Sequence, residues 1–483
     1  MQFNSYIFIL FFLPILCVGY YWFITKSKIQ LANFFLLILS LIFCAYSGKE
    51  SLIILLLSII CNYIFYKGII YFKGKEDNKK KQILLVCGVL TNLLILFYFK
   101  YYNFFVSTVN FVFDTRLDIR EILQPIGISF IVFQQIAFLM DACYKEIEKC
   151  SFGNYALFIS FFPHISSGPI IIYDDLIPRL KEKRYVNWDK ISIGIYMFIL
   201  GLGKKVLIAD TFAKAVDWGY ANVEILNSTS AIFVSVAYTV QIYYDFSGYS
   251  DMAIGLSKML QLDLPMNFNS PYKAKTILEF WDRWHMTLTR FFTKYLYIPL
   301  GGSRKGIMRT YINTMIVFLC SGLWHGASLT FVLWGALHGC FMVFTKHFAK
   351  FFSRIPDVIN QCITLTFINF TWILFRAGSF SSFKQMISAI LKAEWGMIDN
   401  NLCEPFKPMI ANIMSLENVP TWVWAFTALI GIWGIILGSK NVQEKAEDMK
   451  FIYSVKSCIT ISVVAVWCVL SFSGVSSFIY ALF

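Results

Sequence analysis

Charge is what this chain lacks. Only 15% of its 483 residues are Asp, Glu, Lys or Arg, against about 25% in soluble globular proteins. Those few gather between uncharged runs: residues 1–25, 29–48, 122–140, 151–173, 225–244, 310–345, 358–375, 418–439 and 457–483. Shorter apolar stretches lie at 51–66, 83–99 and 191–209, the last interrupted by Lys204 and Lys205. Most of the runs reach the roughly 18–20 residues that a bilayer-crossing helix needs. A soluble architecture is excluded, and the pattern predicts an all-α polytopic membrane protein with about eleven transmembrane helices plus re-entrant or interfacial pieces.

Other absences narrow the chemistry. The 12 cysteines show no CxxC spacing and most sit in apolar runs, which argues for reduced buried thiols over a disulfide framework or metal site. There are five histidines and no HxxxH or HExxH pair, so no metal site is expected. A GxSxG nucleophile elbow, a Walker A loop and a GxGxxG after a strand are all missing. Soluble domains, internal repeats and low-complexity tracts are missing too, so 1–483 reads as a single membrane domain with a distinct cytoplasmic interfacial or re-entrant block at 261–309. The net charge is +13, but the basic residues flank membrane segments and do not form one basic domain. They suit anionic lipid, not nucleic acid.

No basic region precedes the first apolar run, so 1–25 reads as a span and not a cleaved signal peptide. Lys26 and Lys28 follow it, which places the N-terminus outside the cytoplasm. The same alternation puts KGKEDNKKK (73–81) and 144–150 inside and the C-terminus outside. Two interruptions stand out. In FFPHISSGPIIIYDDLIPRLKEKR (161–184), Pro163, Gly168 and Pro169 break any helix, and broken backbone at membrane depth must be buried or line water. Arg179, Lys181, Lys183 and Arg184 are inside only if 151–173 turns back, so a re-entrant segment is predicted. The second interruption runs through QIYYDFSGYSDM (241–252) and DLPMNFNSPY (263–272) to Arg309, with eight Lys or Arg between 273 and 309 against Glu279 and Asp282. In LEFWDRWHMTLTRFF, residues Trp281, Trp284, His285, Leu288 and Phe292 share one helical face, predicting one helix that lies in the cytoplasmic interface or dips into it. Residues 376–417 read as an irregular connection. The run 310–345 is long for one helix and slightly short for two, leaving open a helix broken near Gly322 or Gly326 and a returning pair.

Among the histidines, His347 reads as a solvated loop residue, and His164, after Pro163, as a hydrogen-bonding partner for backbone. His338 lies about 140° around from His325 if their helix is continuous. His325, in SGLWHGAS (321–328), is an imidazole within thirty-six residues free of Asp, Glu, Lys and Arg. Such a group is either a neutral structural ring or a functional one, and a neutral imidazole in a dry site is a competent general base. His285 has the same two readings. Asp245 and Asp251, in apolar surroundings, resemble acids of a proton relay. The residues alone leave an enzyme, a proton-coupled transporter and a scaffold open.

The ordered set FFPHISSGPI, QIYYDFSGYSDMAIGL, LPMNFNSPY, FWDRWHMTLTRFFTKYLYIPLGGSRKG and SGLWHGASLTFVLWGALHG resembles the membrane-bound O-acyltransferases (MBOAT), in the bacterial branch that O-acetylates alginate, peptidoglycan and other envelope polysaccharides. The resemblance implies a ring of transmembrane helices around a thin partition with a central funnel. It implies transfer of an acyl group, most simply acetyl, from a cytoplasmic thioester donor such as acetyl-CoA across the bacterial inner membrane to an envelope polysaccharide. No bound cofactor is implied. By resemblance His325 and His285 are the catalytic pair, and Trp324, Arg283, Trp284, Asp245, Asn267 and Asn269 bind donor or substrate. The implied partners are membrane lipids and a periplasmic SGNH-type O-acyltransferase. A composition rich in Lys, Ile, Phe and Asn favours peptidoglycan over alginate. D-alanyl transfer to a teichoic-acid-type polymer, which uses a similar histidine motif, is the alternative.

Overall fold

Apolar helices with lipid-grade outer faces make up most of the computed structural model, which describes residues 1–145, 147, 149–407, 419–472 and 478–479. Among these residues all regular structure is helical. Among the described residues eight helices are long and apolar enough to cross a membrane: Phe8–Thr25, Lys49–Gly74, Asn78–Phe113, Trp188–Ala221, Ile307–His325, Leu329–His347, Asp357–Ala377 and Thr421–Gly438. Three shorter apolar helices, Ile29–Ala45, Ile128–Tyr144 and Val455–Leu470, accompany them. Leu57, Ile64, Leu94 and Val463 are among many large apolar side chains exposed on these helices, as a lipid-facing surface requires. The expected position of the C-terminus falls on 480–483, outside the described residues.

One end of the bundle is basic. There Lys73 donates to the Ala142 carbonyl, Lys181 to the Lys149 carbonyl, and Lys190 and Lys275 pair with Asp263 and Asp357. The Lys181 contact returns the 151–181 segment to the end where it began. That segment is a short helix, Phe152–Ser160, a buried irregular stretch to Ile172, and the helix Tyr173–Lys181, so it does turn back. At the opposite end Arg376 pairs with Asp217, and Ser228 N donates to the Glu394 carbonyl. The 376–417 connection is more ordered than its sequence implied. Ser379 caps a helix, Phe380–Leu391, that buries Met386 and Ala389; residues 408–417 lie outside the described part.

A central helix, Ser228–Met259, has 32 residues and is buried along almost its whole length. At 1.5 Å per residue it is about 48 Å long, well beyond the 225–244 run that hydropathy marks. It packs antiparallel on Trp188–Gly203 through Gly194 against Gly255 and Gly201 against Gly248. A Cβ at Gly194 would stand 2.6 Å from the Gly255 carbonyl oxygen, so the contact is backbone to backbone, as in other small-residue membrane interfaces. Beyond it a π-helical turn, Lys204–Ala209, brings two lysines to the central helix. Lys204 pairs with Asp251 at 2.6 Å, and Lys205 with Asp245 at 2.6 Å and Asp210 at 2.9 Å. The two acids that resembled a proton relay are interhelical ties. Removing one partner of a buried ion pair typically costs about 3–5 kcal/mol, so Asp245→Asn is expected to lower the thermal unfolding temperature of the detergent-solubilised protein by several degrees. An unchanged transition would show that the tie carries no weight.

The run 310–345 resolves into two antiparallel helices, Ile307–His325 and Leu329–His347. Each has 19 residues because they extend past the uncharged run to include Arg309, Lys346 and His347, which resolves the apparent shortage of length. His347 therefore ends a helix and is not in a loop; its Nδ1 is 3.2 Å from the Tyr311 hydroxyl. The single helix expected over 278–292 is two, Ile277–Arg283 and Met286–Phe292, with His285 between them at φ +45°. Of the two expected placements, lying in the interface or dipping into it, burial of Trp281, Trp284, His285, Leu288 and Phe292 in protein fits the second.

Candidate functional site

Two broken-backbone segments meet inside the bundle. Ile170 N, in the 161–172 stretch, donates to the Thr287 hydroxyl at 2.9 Å, and Arg290 reaches back to Asp175 and the Ile170 carbonyl. Non-helical backbone at this depth is satisfied by protein, as it must be. The block that carries Thr287 is pinned where it begins. Burial alone would raise the Asp263 carboxyl, but hydrogen bonds and charge from Lys190 and Lys258 hold it below its ordinary value.

His325 approaches this junction at the tip of the helical hairpin. Ser328, three residues on, lies 3.4 Å from the Gly378 carbonyl at the far end of Asp357–Ala377. The hairpin requires its glycines: a Cβ on Gly322 would stand 2.3 Å from the Phe331 carbonyl oxygen, and one on Gly335 the same distance from that of Phe318. His325 is 2% exposed. Its ring centroid lies 5.0 Å from Trp324, 5.1 Å from Trp334 and 5.2 Å from Phe375.

His285 lies at the break between Ile277–Arg283 and Met286–Phe292. Its left-handed backbone is uncommon for a residue other than glycine, and its carbonyl accepts from Leu288 and Thr289 N to start the second helix. Its Nδ1 lies 3.0 Å from Asn267 Oδ1. That oxygen also accepts from Thr287 N at 3.3 Å and Oγ1 at 2.8 Å, while Asn267 Nδ2 donates to Ser250 at 3.3 Å. An amide oxygen only accepts, so Nδ1 carries the hydrogen and Nε2 is the basic nitrogen of His285. The indole of Trp324 packs against both histidines, 6.0 Å from His285 and 5.0 Å from His325 between centroids. Phe130 and Phe133 back it, at 5.2 and 5.4 Å.

The structure thus gathers His325, His285, Trp324 and Asn267. Trp284 is an inner wall and does not line an open approach, packing among Tyr272, Phe280, Phe268 and Trp372. Arg283 pairs with Glu279 at 2.8 Å and donates to the Asn269 carbonyl, and Asn269 accepts from Asn441; both tie the block together. Asp245 pairs with Lys205. His338 and His164 have both ring nitrogens engaged, the first by Trp281 and Thr371, the second by Gln134 and the Phe158 carbonyl. Because the chain turns back after His325, the separation calculated for a continuous helix does not apply, and Trp334 bridges His325 and His338. Sequence reasoning missed Lys100, which donates to the Trp324 carbonyl. The signal was present: Lys100 is the one charge between Gln82 and Phe113.

A paired-histidine centre reached by two broken-backbone segments is the setting in which the comparisons with known proteins fall. Residues 41–383 match the membrane-bound O-acyltransferase family. The chain belongs to that family. This membrane-bound O-acyltransferase is 37% identical, over 83% of its length and 81% of the relative's, to the peptidoglycan O-acetyltransferase of Helicobacter pylori. It is 34% identical to the probable alginate O-acetylase of Pseudomonas aeruginosa, over 89% of this chain and 81% of that protein. The teichoic acid D-alanyltransferase of Bacillus subtilis is more distant, at 26% over 76% of this chain and 95% of that protein. The matched span includes both histidines and both broken-backbone segments, so the chain is a membrane-bound acyltransferase, and the centre just described lies inside its family-defining part.

Proposed function

We propose that the enzyme takes an acetyl group from acetyl-CoA at its basic face and passes it to a hydroxyl acceptor reached from the opposite face, for O-acetylation of an envelope polysaccharide, with peptidoglycan as the polymer. The observation that carries this reading is the pair of buried histidines packed against one indole, one borne by the hairpin and one by the 261–309 block. His325 removes the proton from the acceptor hydroxyl, and that oxygen attacks the thioester carbonyl. The C–S bond breaks as the C–O bond forms, and the thiolate of CoA recovers a proton from the imidazolium. General base catalysis of this kind contributes about 10²–10⁴-fold. His285, with Nε2 basic, is the second proton-handling group on the donor side.

The positive-inside rule makes the basic face cytoplasmic, in the inner membrane, and an anionic CoA donor is drawn to such a face. The chain's similarity to a protein named as a peptidoglycan O-acetyltransferase supports that polymer. A periplasmic SGNH-type partner supplies the serine nucleophile for the final transfer to sugar. The test uses the full chain in proteoliposomes with that partner, acetyl-labelled acetyl-CoA and peptidoglycan fragments. Alkali-labile label on the fragments is the expected result. Label delivered only from a D-alanyl carrier thioester would move the reading to a teichoic-acid-type polymer, and proton flux without any acyl donor would replace it with transport.

A further inference from the structure

The Asn78–Phe113 helix leaves α-helical register in a π-helical turn at Phe97–Tyr101, a distortion frequent at functional sites. The turn aims two consecutive side chains at the end of the helix that bears His325. The Lys100 ammonium donates to the Trp324 carbonyl, lies 3.2 Å from the Ser129 hydroxyl, and sits 5.7 Å above the Trp324 ring centroid. The Tyr101 hydroxyl donates to the Leu323 carbonyl at 2.6 Å. Ser129 closes the group, its carbonyl accepting from Trp324 Nε1 at 3.5 Å.

The last carbonyls of a helix have no partner within it, and a cation there also complements the helix dipole. Leu323 and Trp324 are the two residues before His325, so their carbonyls fix the backbone from which the imidazole and its neighbouring indole project. A lysine that merely snorkels from lipid turns its ammonium to water; this one turns inward to atoms of Trp324 and Ser129. We infer that Lys100 and Tyr101 are positioning residues, a two-residue clamp on the C-terminal carbonyls of the His325 helix that holds His325 and Trp324 in register for acyl transfer. The inference rests on the acyl-transfer reading above. Misplacement of a reacting group by about 1 Å can cost on the order of 10²-fold in rate, so the clamp acts on turnover and not on donor binding.

The test compares wild type, Lys100→Met, Lys100→Arg and Tyr101→Phe as full chains in proteoliposomes, by hydrogen exchange and by acetyl-transfer kinetics. In Lys100→Met, amides 322–327 should exchange faster while those of Thr421–Gly438 are unchanged. Its kcat should fall by about 10–100-fold, with the KM for acetyl-CoA unchanged within about twofold. Lys100→Arg, which keeps charge and donor, should recover most of that loss, and Tyr101→Phe should fall between. Unchanged exchange in Lys100→Met, or a loosened helix end with full kcat, would overturn the inference. If Lys100→Met does not accumulate, Tyr101→Phe, which deletes one hydrogen bond and keeps the ring, carries the same comparison. A wild type that transfers no acetyl defeats the functional reading and the positioning role with it, while the exchange comparison separately decides whether the clamp exists.

Discussion

His325→Ala is expected to abolish acetyl transfer, a loss of about 10³-fold or more, because it removes the proposed base and exposes its aromatic surroundings to rearrangement. Alanine alone is an ambiguous probe. The imidazole fills a space bounded by Trp324, Trp334 and Phe375, and emptying such a space typically costs about 2–5 kcal/mol. His325→Gln resolves the ambiguity: glutamine occupies similar volume and can hydrogen bond, but has no nitrogen that titrates. If His325 handles a proton, both variants fail while the glutamine variant accumulates at the wild-type level by immunoblot. If the ring is only structural, glutamine restores transfer. Label moved from acetyl-CoA per unit of inserted protein is the quantity to compare, and substantial transfer by His325→Gln would end the assignment.

The parts of this fold that face lipid were legible from composition, because hydropathy measures suitability for lipid. The central helix was not, because its surroundings are protein. Asp245 and Asp251 depress its hydropathy, yet each meets a lysine, and Gly248 and Gly255 press on another backbone. FSGYSDMAIG is thus substantially a packing motif. The break at His285 left no periodic trace, since Trp281, Trp284, Leu288 and Phe292 keep helical spacing across it, and histidine is not among the usual capping residues. A left-handed residue is a property of the tertiary site that holds it. His325 was conspicuous for the opposite reason: an imidazole in an uncharged run is rare enough to notice, and its flanking glycines proved to be hairpin contacts. Asn267 was singled out only through a motif resemblance. Its link to His285 spans eighteen residues, and no local pattern predicts such a contact.

That link makes the second large prediction. Asn267→Ala is expected to lower kcat by about 10²-fold, the lower end of what a proton-transferring group contributes, with little change in the KM for the donor. Three hydrogens converge on Asn267 Oδ1, from His285 Nδ1, Thr287 N and Thr287 Oγ1, and alanine removes the acceptor for all of them. The His285 ring then loses both its preferred tautomer and its aim, although every atom of the imidazole remains. Asn267→Asp keeps an acceptor at the same place and holds the hydrogen on Nδ1, so it should retain more activity than alanine. The decisive measurement is a double-mutant cycle, since groups that act as a unit lose little more together than singly. If Asn267 works through His285, adding Asn267→Ala to His285→Ala costs almost nothing further. Multiplicative losses would instead place Asn267 in independent contact with the substrate.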